Sequence, residues 1–93
     1  MTDEIKAMLS ERGKTHGRFE DHARCTQRLK DVLHDEASQR MYRKQTALSM
    51  QQLESLEMIL HKIGRIVAGD ADFHDHWDDI AGYAKLCSKE KDQ

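Results

Sequence analysis

Apolar residues recur every three to four positions along almost the whole chain, the spacing that lines one side of an α-helix. Ile5, Met8 and Leu9 form a narrow stripe that predicts a first helix over residues 2–12, stopped by Gly13. A turn over residues 13–17 follows, and a second helix starts near Arg18 with Glu20 and Asp21 in its first turn, where the helix dipole favours acids. Advancing 100° per residue, Phe19, Ala23, Thr26, Leu29, Val32 and Leu33 fall on one half of it. Glu20, Arg24, Gln27, Arg28, Asp31 and Asp35 fall on the other.

Ser38 is the candidate cap of a third helix reaching Ala68 and ended by Gly69. Its apolar arc holds Leu48, Leu53, Leu56, Ile59, Leu60, Ile63, Ile66 and Val67. A fourth helix is predicted over residues 75–88, with Trp77, Ile80, Ala81, Ala84 and Cys87 on its core face and a charged, frayed tail behind it. There are no prolines and few β-branched residues, and 34% of positions are charged. The chain therefore reads as all-α, one small bundle of three to four helices spanning residues 1–93.

Size sharpens this picture. A chain of 93 residues buries only about 60–65% of its unfolded surface, so its core is marginal unless staples or self-association help. The two cysteines, Cys25 and Cys87, lie in helical patterns without metal-ligand spacing, and are expected to stay reduced. Met50 and Met58 interrupt the polar side of the third helix, and Gly82 and Leu86 that of the fourth. Helices apolar on both sides are covered on both sides, which points to a homo-oligomer. No segment approaches the ~20 apolar residues that cross a membrane, and the first residues lack a secretory pattern, so a cytoplasmic protein is expected. A net charge of −2 with scattered Lys and Arg argues against a nucleic-acid partner.

Chemistry concentrates on the last two helices. Glu54 and Glu57 share a face, His61 and Arg65 continue it, and Lys62 lies beside them. Asp75 and Asp79 lie one turn apart on the fourth helix, with Gly82 on the same stripe and Tyr83 next to it. Carboxylates of this kind could hold Mg²⁺, which completes its shell with water and substrate phosphate. Lys62 and Arg65 would meet the remaining phosphate oxygens, one as a point charge and one as a fork. Gly82 would admit a close ligand, and His16, in the turn before the second helix, could meet an anion at free backbone N–H groups. The plain alternative is a solvated face in which Glu57 and His61 are an ordinary i,i+4 pair. His22 falls in an apolar arc and reads as a hydrogen-bonded core histidine. His74 and His76, flanking Asp75, would suit a transition metal but lack a specific supporting pattern.

Two stretches also carry a resemblance. Glu11-Arg12-Gly13-Lys14-Thr15-His16-Gly17-Arg18-Phe19 resembles an ERGxxHGxF opening. His61-Lys62-Ile63-Gly64-Arg65-Ile66 through Gly69, and then Asp75 through Ala84, resemble a KIxRIxxG…DxWxDIAGYA ending. Together they are similar to a family of small helical proteins of tailed phages and prophages. That family in turn resembles, distantly, the MazG-like all-α nucleoside triphosphate pyrophosphatases. Those enzymes hold Mg²⁺ with ExxE on one helix and ExxD on the next. Glu54-Ser55-Leu56-Glu57 matches the first half, whereas His76 stands where the second would have glutamate, three residues before Asp79. The resemblance implies a nucleotide-type ligand held through its phosphates in the host cytoplasm, such as a host immune signal that the protein sequesters. A Mg²⁺-dependent pyrophosphohydrolase is the alternative it implies. A module that inhibits a host protein through the same helical faces is a third expectation.

Overall fold

A computed structural model describes residues 2–88, and among them there are four α-helices and no strand. These are α1 (Asp3–His16), α2 (Phe19–Tyr42), α3 (Met50–Ala68) and α4 (His74–Cys87). The charged tail predicted to fray lies outside the described residues.

Two boundaries differ from the sequence expectation. Gly13 does not stop α1, which runs on to His16; a glycine inside a helix costs only about 1 kcal/mol. The stop is Gly17, which adopts φ 77° while its N–H bonds to the Gly13 carbonyl. Ser38 does not cap α3 either. It lies inside α2, where its Oγ donates back to the Asp35 carbonyl at 2.7 Å. The chain turns after Tyr42, with Lys44 in the left-handed region at φ 57°. The cap of α3 is Ser49, whose Oγ accepts the Gln52 N–H while the Gln52 side chain accepts the Ser49 N–H, both at 3.0 Å. That reciprocal pair satisfies two donors a helix start otherwise leaves free.

The molecule is a slab of 52 × 34 × 23 Å, with α3 between α2 and α4, which do not touch one another. At each crossing the buried residue is polar or small. Thr26 of α2, 1% exposed, sits against Gly64 of α3. A Cβ on Gly64 would stand 2.3 Å from the Thr26 Oγ1, so the two backbones approach as closely as they do only because that side chain is missing. Between α3 and α4 the buried residue is Ser55, which accepts from the Cys87 thiol at 3.3 Å. Between α4 and the end of α1 it is His76, 2% exposed.

The inner face of α4 is rotated from the one its apolar pattern predicts. His76, Ile80, Tyr83 and Cys87 face α3, whereas Trp77 is 54% exposed and Ala81 and Ala84 are open to solvent. Trp77 instead donates its indole N–H to the Ala71 carbonyl at 2.8 Å. On α2, Phe19 and Val32 are likewise exposed. Among the described residues no hydrophobic side chain is fully buried. Both cysteines are free and half-buried.

Candidate functional site

The last residues of α1 are fastened to the start of α4 and the end of α3 through one backbone oxygen. The Thr15 carbonyl accepts the Asp70 N–H at 3.0 Å and the Nε2–H of His76 at 3.1 Å. Gly17 and Gly69 make this junction possible. A Cβ on Gly17 would come within 2.2 Å of the Ala68 carbonyl oxygen, and one on Gly69 within 2.4 Å of that of Thr15. His16 is thereby drawn against α4, its ring edge-to-face with His76 at a centroid distance of 4.7 Å and its Nδ1 hydrogen-bonded to the Thr15 hydroxyl at 2.6 Å. The Gly17 N–H is used inside α1, so His16 enters the site as an imidazole rather than as part of an anion-binding turn.

Arg65 of α3 is the charge around which this region is organised. Its Nε is buried and has no hydrogen-bond partner, and no carboxylate of the described residues pairs with its guanidinium. Three imidazoles sense it. Burial, and then the field of Arg65, hold His16 well below its ordinary range, at about 4. His76, Arg12 and His22 add to that effect. His22 is lowered by burial and then by Arg65, against the opposing pull of Asp21. His61 is lowered by burial, then by Lys30, Arg65 and Lys62. The result is a cationic guanidinium flanked by neutral imidazoles, with buried donor capacity unused. Leaving such a group unsatisfied is costly, so an anion that accepts from it is favoured.

Lys62 behaves differently from Arg65. Its side chain is 11% exposed and its Nζ is paired with Asp79 at 2.9 Å. That hydrogen bond, and then the lysine charge, hold the Asp79 carboxyl below the usual range. Asp79, Gly82 and Tyr83 line one shallow depression with Asp78 and Leu86. Gly82 has open space where a Cβ would stand, so nothing in its own chain requires a glycine there. Tyr83 also borders a second depression, shared with Glu54, Met50 and Leu86.

The carboxylates proposed for Mg²⁺ are dispersed. Glu57 turns toward α2 and bonds His34 at 2.6 Å, rather than lying beside His61. Asp79 is taken by Lys62, Asp75 pairs with His74 at 3.1 Å, and Glu54 is exposed. No three of Glu54, Glu57, Asp75 and Asp79 bring ligand atoms within 4.8 Å of one another. They do not fit a shared Mg²⁺ within one chain. The only grouping of metal-ligand type among the described residues is His74, Asp75 and Asp78. It is wholly exposed, and its internal hydrogen bonds account for it. The hydrogen bond that His74 donates to Asp78, and then the charge of Asp75, raise His74. His76 is turned away into the Thr15 contact, so the His74–His76 pair does not converge.

Of the residues singled out in the sequence, the fold joins Lys62 with Asp79 directly and brings His16 into the field of Arg65. His61, expected on the stripe of Arg65, joins that cluster, and so do His22 and His76, which the sequence does not assign to it. The Gly-flanked Thr15-His16 segment carried the available signal, because a glycine on each side of a junction marks close backbone approach. His22 does not find the hydrogen bond expected of it; its ring contact is with Phe19, at 5.3 Å between centroids.

A family model described as a domain of unknown function (DUF6378) matches residues 1–91. No curated protein and no solved structure matches the chain.

Proposed function

Because the chain belongs to the DUF6378 family, whose model spans nearly all of it, we propose for it a reading built on its own residues: it binds a nucleotide-type ligand through phosphate at Arg65. The carrying observation is the half-buried guanidinium whose Nε has no acceptor and which, among the described residues, no carboxylate neutralises. A phosphate oxygen supplies both the missing acceptor and the missing charge, and guanidinium meets phosphate as a two-pronged donor. His16, His22 and His61 flank the anion. Lys62 joins them when its contact with Asp79 opens.

Binding without turnover is the form of the reading that the geometry favours. Hydrolysis of the MazG type needs carboxylates gathered on Mg²⁺, and those of this chain face α2, Lys62 and His74 instead. The similarity of the two sequence motifs to phage proteins supports sequestration of a host nucleotide signal, which needs affinity and no metal geometry.

The test is a thermal-shift and calorimetric screen of nucleoside triphosphates, cyclic dinucleotides, ADP-ribose and inorganic phosphate, with and without Mg²⁺. One or more nucleotides should stabilise the protein, without a requirement for Mg²⁺, and be recovered intact by chromatography after heat release. Pyrophosphate release that depends on Mg²⁺ would transfer the site to the hydrolase class. Absence of any shift across the screen would remove the nucleotide reading and leave the helical faces to a protein partner.

A further inference from the structure

We propose that a second copy of the chain packs against the slab face formed by Leu29, Leu56, Ile59, Val67, Trp77 and Ala84. The continuity of this face follows from helix geometry. Leu56 and Val67 are three turns apart on α3, and Trp77 and Ala84 are two turns apart on α4, so each pair points the same way. Leu56 and Ile59 line one groove with Ala84, and Val67 lines another with Leu29. Apolar side chains of this face thus lie on α2, α3 and α4, with Asp21, Arg24 and Arg28 at its α2 edge. Its exposure is large for such residues: Leu56 is 37% exposed, Val67 69% and Trp77 54%.

Area argues for a permanent partner. A compact monomer of this mass exposes about 5,500 Å², whereas this chain exposes 7405 Å². The difference of about 1,900 Å² exceeds the ~800 Å² that each partner gives to a standard interface, and reaches the range of obligate dimers. The radius of gyration agrees, at 16.2 Å against roughly 12 Å for a compact domain of this length. Among the described residues no hydrophobic side chain is fully buried, so the chain by itself lacks the core that a stable fold requires. Leu56 and Val67 on α3 and Trp77, Ala81 and Ala84 on α4, all patterned as core, are left exposed. A partner needed for folding must be present wherever the chain is made, and a second copy meets that condition by itself. Packing the face on its own equivalent around a two-fold axis closes the assembly. Arg65 and Glu54 sit two residues before Val67 and Leu56, about 200° around α3, so the ligand face stays accessible. The interface and the phosphate site can consequently fail separately.

The test is light scattering and sedimentation of purified wild-type protein, together with Leu56→Glu, Ala84→Glu and the control Gln27→Glu on the outer side of α2. Wild type and the control should have twice 10.8 kDa or a higher multiple of it. Both face variants should fall to the single-chain mass or unfold. Since either outcome could reflect the fold rather than the interface, the melting temperature of wild type is measured over about a hundredfold range of concentration, where assembly-linked stability must rise with concentration. A wild-type species of single-chain mass, or a melting temperature independent of concentration, overturns the proposal. Oligomers that persist unchanged in both face variants overturn this assignment of the face.

Discussion

Nε2 of His76 lies 3.1 Å from the carbonyl oxygen of Thr15, tying α4 to a residue 61 positions earlier. A carbonyl only accepts, so the proton of His76 is on Nε2. The side chain is 2% exposed and holds helices together. His76→Ala should cost about 2–4 kcal/mol, combining the loss of this hydrogen bond with a cavity. His76→Gln, which keeps a donor, should cost less. His76→Glu should be the worst of the three, because a buried carboxylate would face an oxygen. Urea midpoints decide the order, and a His76→Glu protein as stable as wild type would contradict this role.

Gly64→Ala should destabilise the protein even though alanine is the better helix former by about 1 kcal/mol. The added Cβ meets the Thr26 Oγ1 at 2.3 Å and the His22 carbonyl at 3.0 Å. A net loss of about 1–3 kcal/mol is expected from overpacking. Adding Thr26→Ala should restore part of it, since the nearer clash and an unsatisfied hydroxyl disappear together. A double-mutant cycle in denaturant measures the coupling; strictly additive effects would mean the two residues do not oppose each other.

Arg65→Glu should weaken binding of the nucleotide found in the ligand screen by at least roughly tenfold, the equivalent of about 1.4 kcal/mol. Lys62→Glu should also weaken it, but with a marked stability loss. The new carboxylate would stand against Asp79 in place of an ion pair, at a side chain only 11% exposed. Arg28→Glu, exposed on α2, is the control and should bind like wild type. Titration calorimetry reads the affinities. If Arg65→Glu folds normally and binds unchanged, the guanidinium is not the phosphate contact.

The histidines around Arg65 make stability and binding depend on pH. His16, His22 and His61 are all lowered in the folded protein, so the unfolded chain takes up their protons first. The stability of their neutral forms is fully present above about pH 6.5. It is lost as pH falls toward about 4, the value for His16. His74 works the other way, its ion pairs being lost as pH rises, and Asp79 holds its charge below its ordinary value of 3.8. Melting temperature should therefore fall between pH 7 and pH 5, and fall less in His16→Gln. A bound phosphate opposes the field of Arg65 and should favour imidazolium. Calorimetry in buffers of different ionisation enthalpy should thus detect proton uptake on binding. A zero or negative uptake would place the anion elsewhere.

Reductant should leave the melting temperature unchanged, because Cys25 and Cys87 are free thiols and Cys87 is engaged with the Gln51 carbonyl and Ser55. A clear drop on adding dithiothreitol would show a disulfide that this fold does not contain.

Local rules determined much of this protein. The apolar period specified helices throughout, Gly69 ended α3 where it was expected to, and α4 began within a residue of its predicted start. The turn between α2 and α3 escaped notice because it contains neither glycine nor proline. Lys44 takes the left-handed conformation there without announcing it, although Ser49-Met50-Gln51-Gln52 has the spacing of a capping box. Periodicity also misjudged α4. It ranks residues by hydrophobicity, whereas the side of α4 that meets α3 was chosen by fit and hydrogen bonding, so His76 went in and Trp77 stayed out. The same limit applies to the site. Spacing on a helix shows that Glu54 and Glu57 lie near one another along the chain. It does not show that Glu57 bonds His34 of α2 or that Asp79 satisfies Lys62. Which charges are neutralised and which, like that of Arg65, are left without a partner depends on distances between helices. Those distances are set by Gly64, Gly17 and Gly69, where missing side chains let backbones meet, and only the folded chain reveals them.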